Sequence, residues 1–105
     1  RDAQGRQLMA NATGTATIDF GAFPGSNEAS VAVTGQTDIT SAANVEAWIM
    51  GDDTSADHTA SDHRYLAMLM GLTCGTPTEG VGFTIYGRCA EKLEGEWTVR
   101  WVWAS

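Results

Sequence analysis

Residues 96–104 read EWTVRWVWA, and this stretch decides the fold. Trp97, Val99, Trp101 and Trp103 alternate with Glu96, Thr98, Arg100 and Val102. A period of two sends successive side chains to opposite faces of a strand. The three indoles and Val99 therefore share one face, and Arg100 lies on the other. That is the pattern of a half-buried strand, and it places Trp101 in or beside the core.

The same period recurs upstream. Ala16, Ile18 and Phe20 alternate with Thr15, Thr17 and Asp19. Pro24-Gly25 then marks a turn. Val31 and Val33 give a second strand, and Gly35 to Asn44 reads as a polar loop. Val45, Ala47 and Ile49 give a third strand, with Glu46, Trp48 and Met50 opposite. Tyr65 to Leu72 reads as a fourth strand, apolar on both faces. Val81, Phe83 and Ile85 mark a fifth that runs to about Arg88. No segment is read as a helix. Six short strands with turn-rich joints predict an all-β, six-stranded antiparallel β-sandwich. The polar, unpatterned residues 1–14 read as an N-terminal arm or linker, and 15–105 as the domain.

The 105 residues suffice for one domain with a core of its own. Charged residues are 18% and the net charge is −7, which argues against nucleic acid or an anionic membrane as partner. No stretch is long and apolar enough for a helical membrane span. The chain begins with Arg1, which reads as a processed end or a boundary within a longer protein. If residues 75–80 close a hairpin, Cys74 and Cys89 lie roughly 27 Å apart at strand rise. The expectation is two free thiols, consistent with assembly in a reducing cytoplasm.

Two features bear on function. Trp48 and Met50 on the third strand, with Leu66, Met68 and Met70 on the fourth, exceed what one inner face per sheet can bury. They are the candidate oligomer interface, because Trp and Met favour such surfaces. The loop from Gly51 to Arg64 holds the candidate ligand residues Asp53, Asp57, His58, Asp62, His63 and Arg64. Carboxylates and imidazoles are metal ligands, although this spacing matches no known metal motif. The alternative is a solvated loop with local turn hydrogen bonds. No nucleophile elbow, phosphate loop or zinc-protease signature is present, so no enzyme and no cofactor are expected.

Thr17-Ile18-Asp19-Phe20-Gly21, Val81-Gly82-Phe83-Thr84-Ile85 and Val99-Arg100-Trp101-Val102-Trp103-Ala104 together resemble the H-type lectin domain. The resemblance covers roughly residues 14–105. It implies a trimeric sandwich with sugar sites between subunits, of a kind also found in structural and tail proteins of tailed bacteriophages. It places Arg64 near the sugar. Where sugar-binding members carry aromatic and His groups, this chain has Cys89-Ala90-Glu91-Lys92. The expected function is therefore a virion module (decoration, fibre or tail accessory protein) that meets copies of itself and other virion proteins. The alternative is a carbohydrate-binding adhesion module for a host-surface glycan.

Overall fold

The computed structural model describes residues 10–105. Six strands and one helix follow in chain order: β1 (Asn11–Asp19), β2 (Ser26–Val33), β3 (Asn44–Trp48), α1 (Ala60–Ala67), β4 (Gly71–Cys74), β5 (Phe83–Leu93) and β6 (Glu96–Ala104). They form two three-stranded antiparallel sheets, ordered β1-β6-β3 and β2-β5-β4. The all-β class and the strand count agree with the sequence pattern.

β6 lies at the centre of its sheet, between β1 and β3. Its alternation is realised as expected: Trp97, Val99, Trp101 and Trp103 are buried. Ile18, Phe20, Val33, Phe83 and Ile85 join them in one apolar cluster drawn from both sheets. Phe83 of β5 meets Trp101 of β6 edge to face, with ring centroids 5.5 Å apart. Such edge contacts suit the aromatic quadrupole and fix how inward side chains interlock. The Trp103 indole N–H donates to Gln36 Oε1 at 2.9 Å, and that of Trp97 donates to the Glu94 carbonyl at 3.2 Å. The buried Trp101 N–H has no partner among the described residues.

Several expectations are corrected. β1 begins at Asn11, so residues 11–14 belong to a strand and not to an arm. Gly14 pairs with Trp101, and a Cβ there would stand 2.5 Å from the indole. The lack of a side chain at Gly14 is what lets the indole lie against β1. Residues 1–9 of the expected arm lie outside the described residues.

The expected fourth strand is mostly α1. Thr59 caps the helix: its hydroxyl accepts from the Asp62 N–H, and the Asp62 carboxylate accepts from the Thr59 N–H. This reciprocal box satisfies backbone donors that a helix start leaves orphaned. His63, Leu66 and Met70 then fall at i, i+3 and i+7, and all three are buried. The helical period was present but masked by apolar residues on the other face. Leu66 and Met70 are consequently core residues, not interface residues.

The polar loop after β2 sends Ile39, 1% exposed, into the core. At the fifth strand, Val81 precedes β5 and is exposed. The strand runs on to Leu93, past the expected end at about Arg88. Cys74 pairs with Ile85, four residues short of Cys89. Residues 75–82 therefore form a wider loop than the hairpin assumed from sequence. Both cysteines are free thiols.

Candidate functional site

β3 ends at Trp48, opposite Arg100, while β6 begins four residues earlier at Glu96. Glu96 and Thr98 share the side of β6 that β3 would otherwise cover. Their backbone groups need partners, and a strap formed by residues 51–63 supplies them. Asp57 Oδ2 accepts from the Glu96 N–H at 2.7 Å. The Ser55 hydroxyl donates to the Glu96 carbonyl. His63 Nε2 accepts from the Thr98 N–H at 3.1 Å. The Thr98 hydroxyl donates in turn to the Thr54 carbonyl at 2.7 Å. Side chains here replace a missing stretch of strand.

The predicted ligand residues are thereby engaged in structure. Asp53 accepts two hydrogen bonds from Arg100, at 2.7 and 2.8 Å. That contact holds the Asp53 carboxyl below the usual carboxylate range. The Asp62 carboxyl is also lowered, chiefly by the Thr59 backbone N–H of the capping box. His58 lies on Trp97, with ring centroids 3.5 Å apart and planes 12° from parallel, and its Nε2 is 2.8 Å from the Glu94 carbonyl. His63 is fully buried, with Nδ1 2.8 Å from the Thr59 carbonyl. Arg64 is more than half exposed. It donates to the Gly51 carbonyl at 2.9 Å and lies 3.5 Å from an Asp52 oxygen. Among the described residues, no three His, Cys, Asp or Glu side chains converge on a metal position.

A cleft of about 460 Å³ opens beside the strap, lined by Asp19, Phe23, Asp57, His58, Glu94 and Glu96. A second hollow of about 470 Å³ shares Phe23, His58 and Glu94 and adds Pro24, Lys92, Leu93 and Trp97. Phe23 stands between them, 86% exposed. The Gly95 N–H donates to the Gly21 carbonyl at 2.8 Å, and the Phe20 N–H donates to the Gly95 carbonyl at 3.0 Å. These bonds bring the turn after β1 against the β5–β6 turn, so three loops meet at one end of β6. Phe23 was missed in the sequence because its neighbours Pro24-Gly25 signalled only a turn.

A second surface involves the interface candidates. Met68 is 84% exposed and Met50 43%, while Trp48 is half-buried. Tyr65 and Leu69 are also exposed. Tyr65, Met68 and Leu69 fall at i, i+3 and i+4, on one side of α1 and the turn that follows. Between the edge strands β3 and β4 runs a groove lined by Val45, Ala47, Trp48, Leu72 and Cys74. Burial, with the Glu46 charge second, pushes the Cys74 thiol above its ordinary value.

The chain matches no model of a known protein family, no curated protein and no solved structure.

Proposed function

We propose that this chain is a non-enzymatic virion structural module, an H-type lectin-like β-sandwich that self-assembles as a trimer. The observation that carries the assembly reading is the row Tyr65, Met68 and Leu69, apolar bodies left in solvent on one side of α1. Single exposed apolar residues are ordinary, but several on one side of an element mark a contact surface. The half-open groove between β3 and β4 lies on a neighbouring part of the chain and extends the apolar supply. The sandwich form is supported by inward side chains of both sheets meeting in one cluster. The virion setting rests on the sequence resemblance. Sedimentation equilibrium at micromolar concentration tests the reading: a trimer is expected, and a monodisperse monomer overturns it.

A second reading is favoured by Phe23. An exposed phenyl ring beside carboxylates offers an apolar platform and hydrogen-bond acceptors, the combination that holds a sugar ring. A host-surface glycan would then sit at the Phe23 cleft, and Arg64 would not be its main contact. Glycan-array binding that Phe23→Ala removes and Arg64→Ala leaves intact is the expected result. Binding that depends on Arg64 instead overturns this placement.

A further inference from the structure

We propose that the free edge of β1 is a second self-association surface, through which two copies of this chain pair their β1 strands antiparallel about a two-fold axis at Thr15. The pairing joins the two β1-β6-β3 sheets into one. It is separate from the α1 side proposed above and does not rest on it.

The hydrogen-bond parity of β1 fixes what its free edge presents. Just beyond the ends of the strand, the Ser105 N–H donates to the Ala10 carbonyl at 2.9 Å and the Phe20 N–H donates to the Gly95 carbonyl at 3.0 Å. The register with β6 is unbroken between them. In an antiparallel ladder, pairs that exchange hydrogen bonds alternate with pairs that do not. Ala10 and Phe20 belong to the bonded set, so Ala12, Gly14, Ala16 and Ile18 turn their backbone groups to β6. Asn11, Thr13, Thr15, Thr17 and Asp19 therefore turn theirs outward. All five are exposed, and among the described residues no second strand pairs with this edge.

The other three sheet edges are guarded. β3 and β4 run for only five and four residues, and β3 carries Glu46. β2 is broken by a register shift between Ser26 and Glu28, and Glu28 is a charge paired with Arg88. Short strands, bulges, charges and proline are the means by which sheets avoid edge-to-edge pairing. β1 has none of them from Asn11 to Ile18, over a strand of nine residues. Such an edge is a template for another strand.

A second copy fits because the strand is complementary to itself. Turned about an axis at Thr15, Thr15 meets its own counterpart, Thr13 meets Thr17 and Asn11 meets Asp19. Outward residues thus meet outward residues, and each such pair exchanges two backbone hydrogen bonds. One patch used twice makes a closed two-fold contact. Facing threonines add hydroxyl hydrogen bonds across the strands. The Thr13 hydroxyl donates to the Trp101 carbonyl at 2.8 Å, which leaves its oxygen to accept from Thr17 of the second copy. Asp19 Oδ1 accepts from the Gly21 N–H, which leaves Oδ2 for the Asn11 amide. The carboxylate thereby meets a donor and not another acid, in a chain of net charge −7.

Strand pairing without a large apolar patch is weak, so sedimentation velocity near millimolar concentration on the full chain tests it. Met68→Asp protein, deprived of the α1 contact, should form a dimer. Adding Thr15→Lys, or Thr15→Glu, should weaken that dimer about tenfold or more, because like charges then lie directly opposite. Mixing the Lys and Glu proteins should restore it, since the axis sets Thr15 against its own counterpart. A Met68→Asp protein that stays monomeric, a dimer indifferent to both substitutions, or a mixture that fails to associate overturns the pairing. Amide hydrogen exchange on the wild-type protein reads the same contact without substitution. In dilute solution Ala12, Gly14 and Ala16 should be protected and Thr13, Thr15 and Thr17 should exchange freely. Near millimolar concentration the three threonine amides should slow about tenfold or more. Threonine amides that do not respond to concentration overturn the pairing whatever the α1 side does, so the two contacts fail separately.

Discussion

Asp53 grips Arg100 through both carboxylate oxygens, joining the strap to the solvent-side face of β6. Asp53 is largely covered and Arg100 is more exposed. The two-pronged geometry makes this a directional contact rather than a loose surface pair. Because Arg100 lowers the Asp53 carboxyl, its stabilisation is fully present above the unfolded value near ~3.9 and is lost as pH falls through the lower folded value. Asp53→Asn should lower the melting temperature modestly at neutral pH. The difference from wild type should shrink in strong acid, as melting curves at several pH values would show.

Met68 and Met70 are two residues apart but play different parts. Met68→Asp places a charge in solvent at the α1 surface and should leave the fold intact while weakening self-association. Met70→Asp places a carboxylate in the core and should unfold the chain, because a buried unpaired charge is among the costliest substitutions. Circular dichroism and sedimentation on both variants separate the two effects. A Met68→Asp protein that assembles like wild type would show that this side of α1 is not the contact.

Phe83→Ala removes the ring that meets Trp101 and should destabilise by about 3–5 kcal/mol, a large share of the stability of a domain this size. Near-wild-type thermal melting would contradict the position of Phe83 in the core.

Gly25→Ala should also destabilise, by about 1–3 kcal/mol. Gly25 has φ of +78°, and a Cβ there would stand 1.8 Å from the Leu93 carbonyl oxygen. The substitution should disturb the neighbouring Phe23 turn as well, readable as loss of any ligand binding at the cleft together with a lower melting temperature.

The sequence by itself determined the strands whose two faces differ. Over residues 15–20 and 96–101, apolar and polar or small residues alternate, so the period of two names both the element and its buried face. The same alternation puts Phe83 and Trp101 in or beside the core, where both are buried. What alternation cannot reveal is a helix whose solvent side is also apolar. Tyr65, Met68 and Leu69 hid the buried row His63, Leu66 and Met70, and the Thr59–Asp62 capping box was the one local signal that could have corrected it. The role of the Asp and His residues was decided only by tertiary structure. Whether Asp57 and His63 bind a ligand or bond to backbone depends on where β3 stops along β6. That is set by contacts between residues some 35 to 40 positions apart in sequence. The period of a short segment carries no information about such a distance, because pairing register and loop docking are fixed by the packed core as a whole.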